Sequence, residues 1–582
     1  MEQNLSNNPA KDIKISDLIC NYLISKGITD VFGYPGGMVT YLMDSLSKHA
    51  EKISAHLSYH EQGAAFCACG YAQSSGKTGV AYATSGPGAI NLMGGIANAY
   101  FDSIPCLFIT GQVNTYESKG NLPVRQKGFQ ETDIISITKS ITKYSKYVDS
   151  AENVLYELEK AFYFANSGRP GPVLLDIPMN VQRTKVNPEN LKHFNLPTNS
   201  VEDCDKFSNE ILAAIHNSNS PLIIAGAGIR TSGTVEIFID FVEKLKIPVV
   251  TSMISVDVLP NDSPLKFGMI GSYGARAANF IIEKSDLILA IGSRLDCRQT
   301  GSDKSKFATK AKLIRVDTDI NELANKIKED EIQVHCSLQH LLPKLNKNVL
   351  SWKKDSSEWL KECNRIKNKL QNIDSEPVNR FIEEFSVHVP DGLVITADVG
   401  QNQVWTAQSF KNKPKQKILF SGGYGSMGYS LPAAIGAYFA TKEPVICIVG
   451  DGGFQMNIQE LQMVARDNLP IKIVLIDNNA LGMIRHFQEM YFECNYFQTK
   501  DEEYSVPDLK KIVDAYGIKT FCYESCKNDL DSILTSDKPA FIYYKYDQNT
   551  YVSPKLAINK PIYDQEPLLD RKLLKELLND KS

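Results

Sequence analysis

Short runs of aliphatic and β-branched residues alternate with longer amphipathic stretches along most of this chain. This alternation is typical of βα units, in which parallel strands are covered by helices. It recurs in three separate segments, so we predict an α/β fold with three doubly wound domains and mainly parallel sheets. The predicted strands lie at residues 80–84, 106–110 and 173–177 in the first segment, at 222–225, 248–251, 287–291 and 312–316 in the second, and at 393–396, 444–449, 471–476 and 540–544 in the third.

Polar stretches separate the three segments and set the predicted domain boundaries. Residues 183–205 have the composition of a linker, and the Lys-, Glu- and Asn-rich stretch 345–374 has helical spacing with few strand-like runs. A chain of this length suits about three domains of ~100–200 residues each. We predict domains at 1–185, 206–345 and 375–550, followed by a charged tail, 551–582, that packs on the surface.

The composition excludes several classes of protein. Hydrophobic residues make up 43% and charged residues 22%, as in ordinary globular chains, and the net charge of −4 argues against nucleic acid as the main partner. No apolar run approaches the ~18 residues needed to cross a bilayer, and residues 1–14 do not resemble a signal peptide. The 12 cysteines show no paired CxxC spacing, so we expect reduced, mostly buried thiols. We expect a cytoplasmic protein that acts on small molecules, without nucleic-acid or membrane partners.

Two loops of the third segment carry the residue types of a metal and diphosphate site. One predicted strand ends in Gly450-Asp451-Gly452-Gly453 and the next in Asp477-Asn478-Asn479. Because the two strands form one βαβ unit, Asp451 and Asn478 should lie at the same edge of a parallel sheet, where α/β sheets bind ligands. A carboxylate and an amide oxygen suit Mg²⁺ when a diphosphate supplies further ligands. The alternative is a turn with an incidental Asp and Asn. The strands are connected by a predicted amphipathic helix, whose apolar face carries Ile458, Leu461, Val464 and Ala465.

The spacing of Asp451 and Asn478 resembles the metal motif of thiamine-diphosphate-dependent enzymes, in which GDG is followed by NN; here Asp477 replaces the first Asn. Further motifs extend the resemblance, from about residue 15 to residue 544, to the large-subunit family of acetolactate synthase (acetohydroxyacid synthase). They are Gly111-Gln112-Val113, Gly128-Phe129-Gln130-Glu131-Thr132, Gly168-Arg169-Pro170-Gly171-Pro172-Val173 and Gly292-Ser293-Arg294-Leu295-Asp296-Cys297-Arg298. The resemblance implies that the side chains of Asp451 and Asn478 and the carbonyl of Ala480 bind Mg²⁺.

The first segment resembles the pyrimidine-binding domain of the same enzymes. The matching motifs are Tyr34-Pro35-Gly36-Gly37, His60-Glu61-Gln62-Gly63 and Thr84-Ser85-Gly86-Pro87-Gly88. Alone, Glu61 at a helix start is explained by the helix dipole, and a single methionine such as Met427 by a place in the core. The resemblance implies instead that Glu61 hydrogen-bonds the aminopyrimidine ring and promotes loss of the thiazolium C2 proton, and that Met427 supports the bent cofactor. It assigns catalytic roles to Gly37 and Gln130 as well.

The resemblance also implies larger sets of binding residues. Thiamine diphosphate is held by Pro35, Gly36, Glu61, Gly400, Gln401, Asn402, Gly425, Ser426, Met427, Asp451, Gly452, Gly453, Asn478, Ala480, Leu481, Gly482 and Met483. FAD is bound by Arg169, Gly226, Gly228, Gly271, Gly274, Gly292, Arg294 and Asp317, without a redox role because carboligation transfers no net electrons. Glycine loops at strand ends also occur in any doubly wound sheet. The substrate residues are Phe129, Gln130, Arg298 and Phe487; a solvated salt bridge is the alternative for Arg298.

The implied activity is a carboligation, in which pyruvate is decarboxylated and its two-carbon acetaldehyde unit is transferred to an acceptor carbonyl. Three departures from the family leave the acceptor open: an extra loop at 114–127 with Lys119 and Arg125, Cys297 in place of Asp, and Phe487 in place of Trp. The alternatives are a nucleotide-linked keto-deoxysugar as acceptor in branched-sugar synthesis and, less favoured because Arg298 is retained, a flavin-linked pyruvate oxidase. A homodimer or homotetramer is implied, with active sites between domains of two subunits. A regulatory subunit is left open.

Overall fold

A computed structural model describes residues 12–197, 203–352, 354–371, 373–500 and 502–579. The signal-peptide region considered above, up to residue 11, and part of the predicted linker, at 198–202, lie outside the described residues. The structure contains three six-stranded sheets, and all the strands paired within them are parallel. The prediction of three α/β domains with parallel sheets is confirmed. None of the described helices is long and apolar enough to cross a membrane.

The first sheet has the order β3-β2-β4-β5-β7-β6, and a separate antiparallel pair joins β1 to β8. Its strands are β1 Ile13–Lys14, β2 Asp30–Gly33, β3 Ser54–Leu57, β4 Gly79–Ala83, β5 Cys106–Gln112, β6 Tyr144–Tyr147, β7 Pro172–Pro178 and β8 Lys185–Val186. The helices are α1 Ile15–Ser25, α2 Thr40–Lys48, α3 Glu61–Ser75, α4 Pro87–Asn91, α5 Met93–Phe101, α6 Ile134–Thr138, α7 Val154–Asn166 and α8 Met179–Arg183.

The middle sheet has the order β11-β10-β9-β12-β13-β14, in which the chain builds outward in one direction and then in the other. Its strands are β9 Pro221–Ala225, β10 Val249–Thr251, β11 Lys266–Met269, β12 Leu287–Ile291, β13 Lys312–Asp317 and β14 Ile332–His335. The helices are α9 Cys204–Asn217, α10 Gly228–Thr231, α11 Val235–Leu245, α12 Arg276–Lys284, α13 Cys297–Thr300, α14 Ile320–Ala324, α15 Leu338–Asn348 and α16 Ser357–Leu370. This strand order is the one found in dinucleotide-binding folds.

The last sheet has the order β16-β15-β17-β18-β20-β19, which repeats the strand order of the first sheet. Its strands are β15 Val394–Ala397, β16 Lys417–Phe420, β17 Val445–Gly450, β18 Ile471–Asp477, β19 Lys519–Cys522 and β20 Ala540–Lys545. The helices are α17 Pro377–His388, α18 Gln401–Ser409, α19 Ser430–Thr441, α20 Asp451–Met456, α21 Leu461–Arg466, α22 Gly482–Tyr491, α23 Leu509–Ala515, α24 Tyr523–Cys526, α25 Leu530–Thr535 and α26 Arg571–Leu578.

The chain forms two compact units, and their boundaries do not coincide with those of the three sheets. The first comprises Met1–Asn199, Gly423–Glu443 and Asn457–Leu469, and the second comprises Ser200–Gly422, Pro444–Met456 and Pro470–Ser582. The first unit therefore contains the first sheet with α19 and α21, and the second contains the other two sheets. Nine of the twelve cysteines are buried, so the prediction that most of the thiols are buried is confirmed.

The single helix predicted after Asp451 is broken. α20 ends at Met456, a short 3₁₀ turn follows at Ile458–Glu460, and α21 begins at Leu461. Asn457 leaves the helical conformation (φ −134°, ψ 32°), and its Nδ2 donates to the carbonyl of Gly428 at 2.8 Å. Leu461 and Val464 are buried as predicted, but Glu460 is also completely buried. The side-chain hydrogen bond of Asn457 thus replaces the next turn of helix.

The charged tail packs into the core of the middle domain, so the prediction of a surface position is wrong. Ile562, Leu569 and Leu577 are buried in a cluster that includes Phe280 of α12. Arg276, also on α12, donates to the carbonyls of Gln565 at 3.1 Å and Pro567 at 2.7 Å. The sequence is misleading here because the apolar residues of the tail are widely spaced among charged ones.

Two glycines allow α3 and α19 to pack with their backbones in close contact. An ideal Cβ on Gly70 would lie 2.1 Å from the carbonyl oxygen of Ala433, and one on Gly436 would lie 1.9 Å from that of Cys67. Real Cβ atoms do not approach this closely, so any side chain at either position must separate the helices.

We predict that Gly436→Ala destabilises the protein by about 3 kcal/mol, the upper part of the usual range for overpacking. The measurement is the thermal unfolding midpoint of the purified protein. Gly94→Ala on α5 is the matched control, because its added methyl group meets only the side-chain amide of Gln62. Equal unfolding midpoints for the two variants would contradict the close helix contact.

Candidate active site

The predicted pyrimidine-binding loops meet where the first sheet reverses its direction of growth. Residues 34–37 follow β2 and residues 84–88 follow the adjacent strand β4. An ideal Cβ on Gly36 would lie 2.4 Å from Cβ of Thr84, and the backbone N–H of Met38 donates to Oγ1 of Thr84 at 3.1 Å. Parallel α/β sheets bind ligands at this kind of reversal, beyond the carboxyl ends of the strands.

Glu61 lies beside this pair of loops at the first residue of α3. Its side chain is almost completely buried, with 8% of the residue exposed. Oε2 accepts a hydrogen bond from Nδ2 of Asn91 at 3.0 Å, and an ideal Cβ on Gly88 would lie 3.0 Å from Oε1. The backbone N–H of Gln62 donates to Nδ1 of His60, which caps the helix. The carboxyl group is thus fixed by hydrogen bonding, and the helix dipole alone does not account for its position.

Gln130 lies against the same loops, whereas the side chain of Phe129 is largely exposed. The carbonyl oxygen of Gln130 would lie 2.9 Å from an ideal Cβ on Gly86, and Gln130 itself adopts a left-handed conformation (φ 63°). Phe129 is 78% exposed. Gly37 is exposed as well, with no atom within 4 Å of an ideal Cβ. Packing therefore does not explain the glycine at position 37.

The predicted diphosphate loops meet at the corresponding reversal of the last sheet, between β15 and β17. Gly400 has φ 143°, which favours glycine, and α18 begins at the next residue. Oδ1 of Asn402 lies 3.0 Å from an ideal Cβ on Gly450, and Oδ1 of Asp398 lies 2.3 Å from one on Gly453. The start of α18 and the loop after β17 are therefore in contact. The free N–H groups of a helix start suit anionic oxygens.

Asp451 is buried beside this contact with one carboxylate oxygen unpaired. The residue is 3% exposed, and Oδ2 has no hydrogen-bond partner among the described residues. Burial, together with the charge of Asp477, raises the pKa of Asp451 to about 7, although backbone N–H groups of Gly452 and Ala480 oppose the shift. An unpaired buried carboxylate is costly, and a cation at Oδ2 would remove that cost. The site thus fits a metal ion.

Asn478 follows β18, the strand next to β17, and lies against the start of α18. Its Nδ2 donates to Oε1 of Gln401 at 3.5 Å, and its Oδ1 accepts the N–H of Ala480 at 3.2 Å. An ideal Cβ on Gly482 would lie 1.8 Å from Oε1 of Gln401, so any side chain at this position would displace that of Gln401. Within the described residues no group of three or more His, Cys, Asp and Glu side chains could hold a metal. A metal at Asp451 would therefore also draw on amide or carbonyl oxygens, and a diphosphate would supply further ligand oxygens.

Met427 belongs to the first unit and lies in a loop. It is half-buried between Gly425 and Gly428, which both have positive φ (74° and 81°). Oγ of Ser426 donates weakly to its carbonyl at 3.4 Å. A methionine that fills a core would be buried, so the structure does not support that alternative.

Half of the predicted flavin residues lie at the reversal point of the middle sheet, between β9 and β12. Gly226 and Gly228 follow β9, and Gly292 follows β12. An ideal Cβ on Gly226 would lie 2.1 Å from the carbonyl oxygen of Gly292, so the two loops pack directly on each other. Arg294 forms an ion pair with Asp296 at 3.0 Å. This is the crevice in which dinucleotides bind in folds with this strand order.

The remaining flavin residues have contacts of other kinds. Gly271 has φ 100°, and its ideal Cβ would lie 2.2 Å from the carbonyl oxygen of Arg298. An ideal Cβ on Gly274 would meet only its own turn, and Oδ1 of Asp317 accepts the N–H of Asp319. Arg169 belongs to the first unit, where its Nε donates to Oγ of Ser103 at 2.7 Å. The contacts of these four residues do not test FAD binding, which therefore stays a proposal.

The predicted substrate residues Arg298 and Phe487 both belong to the second unit, and both side chains are exposed. The side chain of Arg298 is exposed and forms no ion pair with the described residues, which removes the structural salt bridge as an explanation. The Phe487 ring is 43% exposed and lies 4.7 Å from the ring of Tyr491. The backbone carbonyl of Arg298 accepts the N–H of Ser272, the residue before Tyr273, at 2.8 Å.

Comparison with known proteins agrees with these features. Residues 13–137, 208–345 and 398–544 match the N-terminal TPP-binding, central and C-terminal TPP-binding domains of thiamine pyrophosphate enzymes. The acetolactate synthase large subunit of Lactococcus lactis subsp. lactis (strain IL1403) is 38% identical over 553 residues, covering 93% of this chain and 94% of the relative. The chain belongs to the acetolactate synthase large-subunit family.

Other members of the family are similarly related. The acetolactate synthase isozyme 2 large subunit of Escherichia coli (strain K12) is 34% identical over 545 residues, covering 92% of this chain and 96% of the relative. The chloroplastic acetolactate synthase 1 of Oryza sativa subsp. japonica is 36% identical over 532 residues, covering 88% and 80%. The resemblance predicted from the sequence is confirmed over nearly the whole chain.

The structure also shows a residue that the sequence analysis missed. Glu460 is completely buried, and its Oε1 accepts the backbone N–H of Tyr59 at 3.0 Å, two residues before Glu61. An ideal Cβ on Gly63 would lie 2.3 Å from the same oxygen. Burial raises the pKa of Glu460 to about 7, although backbone N–H groups of Tyr59 and His60 oppose the shift. The only sequence signal was an acid inside a segment expected to be apolar on one face.

The unpaired oxygen of Asp451 predicts a specific pH dependence. The carboxyl pKa is about 7 in the folded protein and 3.8 ordinarily, so the unfolded chain releases this proton at lower pH. Without a cation, the folded state therefore loses stability as the pH rises from about 4 to about 7. Asp451→Asn should remove this loss. The free energy of unfolding of this variant, relative to that of the unmodified protein, should therefore increase by about 2 kcal/mol between pH 5 and pH 7.

The measurement is the thermal unfolding midpoint in EDTA across this pH range. Magnesium with thiamine diphosphate should then raise the midpoint of the unmodified protein at pH 7.5 and leave that of Asp451→Asn unchanged. If the difference in unfolding midpoint between Asp451→Asn and the unmodified protein did not change with pH, the carboxylate of Asp451 would not be held unpaired.

Proposed function

We propose that this chain is a thiamine-diphosphate-dependent carboligase, which decarboxylates pyruvate and transfers the two-carbon acetaldehyde unit to an acceptor carbonyl. The observation that carries the proposal is the buried, unpaired oxygen of Asp451 beside Asn478, at the reversal point where α18 also begins. This arrangement suits a metal-bound diphosphate, and the relatives are acetolactate synthases.

The cofactor has a defined set of ligands in this proposal. Asp451, Asn478 and the carbonyl of Ala480 hold Mg²⁺, while the start of α18 and the loop after β17 hold the diphosphate. When bound, thiamine diphosphate supplies a nucleophilic carbon and a cationic ring that accepts the negative charge left by decarboxylation. Glu61 holds a proton at the pyrimidine ring, where its fixed position favours transfer. Met427 supports the bent form of the cofactor, and Gly37 leaves open space beside it.

Acceptor binding falls to residues that orient a carbonyl group. Gln130 lies against the Glu61 loops, and Arg298 offers a guanidinium that suits a carboxylate or a phosphate. Phe487 supplies an apolar face next to the polar groups. Because ligation needs the acceptor in a defined orientation, these contacts decide between ligation and simple protonation.

FAD is proposed as a bound cofactor without a redox role. The crevice between β9 and β12 fits a dinucleotide, since strand order and glycine loops both match. We also propose a homodimer or homotetramer, as the resemblance implies. The large-subunit names of the relatives point to a possible regulatory subunit. A cytoplasmic location stays a prediction of the composition.

Two lysines of the extra loop form hydrogen bonds within the loop, whereas Arg125 of the same loop is exposed. Nζ of Lys119 donates to the carbonyl of Val124 at 3.2 Å, and Nζ of Lys127 donates to that of Tyr116 at 2.8 Å. Glu131 accepts the backbone N–H groups of Lys119 and Lys127 at 2.6 and 3.0 Å. Although burial opposes it, this hydrogen bonding lowers the pKa of Glu131. The lysines of this loop therefore stabilise the loop itself.

The proposed function is tested by incubating the purified protein with pyruvate, Mg²⁺ and thiamine diphosphate and identifying the products by mass. We expect CO₂ together with a carboligation product. Glu61→Gln should lower the rate roughly 10²–10⁴-fold, the usual contribution of acid–base catalysis. Glu51→Gln, at an exposed position in the same domain, is the control and should retain full activity. Peroxide or acetate in place of a carboligation product would refute the proposal.

Glu460 should act as a positioning residue for Glu61. Glu460→Ala leaves the N–H of Tyr59 without its acceptor and loosens the start of α3, so we expect kcat to fall about 10²-fold with little change in KM for pyruvate. Glu460→Gln keeps an acceptor oxygen and should restore most of the activity. The measurement is the steady-state rate of pyruvate decarboxylation. If both variants lost activity equally, the hydrogen bond to Tyr59 would not be the cause.

A further inference from the structure

A buried lysine lies beside Phe487 without an ionic partner. Lys555 is 7% exposed, and its Nζ lies 5.4 Å from the centre of the Phe487 ring. Among the described residues, its ammonium group forms no hydrogen bond and no ion pair. The neighbouring Glu566 bonds Lys555 only through the backbone, as each N–H donates to the other's carbonyl at 2.9 and 2.7 Å.

The surroundings of Lys555 disfavour an unpaired positive charge. Burial lowers the pKa of Lys555 to about 8. Burial and then the charge on Lys555 lower the pKa of His486, one residue before Phe487, to about 4. A buried charge without a partner is unfavourable and is usually paired in proteins. An anion bound at this position would remove the penalty, and the part of the chain that the structure describes does not provide one.

The segment that carries Lys555 also contacts the segment that carries Arg298. The backbone N–H of Leu556 donates to the carbonyl of Ser272 at 2.7 Å, and the N–H of Ser272 donates to the carbonyl of Arg298 at 2.8 Å. The N–H of Ile558 donates to the phenol of Tyr491, whose ring contacts that of Phe487 at a tilt of 53°. The second unit thus brings two unpaired cations and one exposed aromatic ring to the same group of segments.

We propose that Lys555 is a specificity-determining residue that binds the anionic group of the acceptor. The proposal rests on the proposed carboligase function. The chemistry recognised is a negatively charged oxygen group next to an apolar surface, which occurs in the carboxylate of a 2-keto acid and in the phosphate of a phosphorylated ketone. Lys555 supplies the charge, and Phe487 contacts the apolar part of the same molecule.

The test compares charged and neutral acceptors with pyruvate as donor. The acceptors are 2-oxobutanoate, a nucleoside-diphosphate-linked ketosugar, and the uncharged aldehyde propanal. The variants are Lys555→Met, which keeps the length and removes the charge, and Lys555→Arg, which keeps the charge. Lys560→Met is the matched control, since Lys560 lies in the same segment, is 49% exposed and pairs with Asp564.

Lys555→Met should lower kcat/KM for a charged acceptor, relative to propanal, by at least about tenfold, because a hydrogen bond to a charged group is lost. Lys555→Arg should restore most of this ratio, and Lys560→Met should leave it unchanged. A loss confined to 2-oxobutanoate identifies a carboxylate, and a loss confined to the ketosugar identifies a phosphate. Decarboxylation of pyruvate, followed with ferricyanide as electron acceptor, should be unchanged in the control Lys560→Met.

Two results would overturn the assignment of Lys555. One is an unchanged ratio in Lys555→Met; the other is an equal loss with charged and neutral acceptors, which indicates a structural role. If Lys555→Met does not fold, Lys555→Gln provides the same comparison with a polar side chain. Failure of the unmodified protein to ligate any acceptor would refute the carboligase function itself, which distinguishes it from failure of the Lys555 proposal.

Discussion

The reversal of strand order in a parallel sheet is the constraint on which the proposed sites depend. When the chain builds a sheet outward from one strand and then continues from its other side, the two helical connections leave on opposite faces, and a crevice opens beyond the carboxyl ends of the two central strands. In this protein each of the three sheets has one such point, between β2 and β4, between β9 and β12, and between β15 and β17. The predicted pyrimidine, flavin and diphosphate loops follow these strands. Glycine is required where the loops meet, as at Gly36 and Gly226.

The central strands were predictable from the sequence, and the edge strands were not. Every predicted strand matches an observed one, because strands covered by helices on both faces are nearly continuous apolar runs. The missed strands of the three large sheets are the six edge strands β3, β6, β11, β14, β16 and β19, together with β2, and each has four residues. The two-residue strands β1 and β8 were missed as well. Edge strands are short and carry polar residues, as in Ser145 and Lys146 of β6, which prevents pairing with other chains. The same pattern hides them from periodicity arguments.

The site was predictable to the extent that local motifs define it. Glu61, Asp451 and Asn478 stand in motifs with a fixed spacing, and the structure places each at a strand or helix end. Glu460 and Lys555 stand in no such motif, because their roles depend on contacts between distant segments. Glu460 meets Tyr59 across some four hundred residues of sequence, and Lys555 meets Phe487 only after the chain has passed through β20. Long-range contacts of this kind leave little trace in one sequence.

Unpaired buried charge of both signs supplies a physical basis for ligand selection in the second unit. Asp451 holds a carboxylate oxygen without a partner, and Lys555 holds an ammonium group without one. Burial raises the pKa of Asp451 and lowers the pKa of Lys555. Keeping either group charged therefore destabilises the folded protein when no ligand is bound. A ligand of opposite sign removes that penalty, whereas a neutral ligand leaves it in place. Selectivity for a cation at Asp451 and for an anion at Lys555 therefore arises from the desolvation of the two groups, even before any contact with the rest of the ligand is counted.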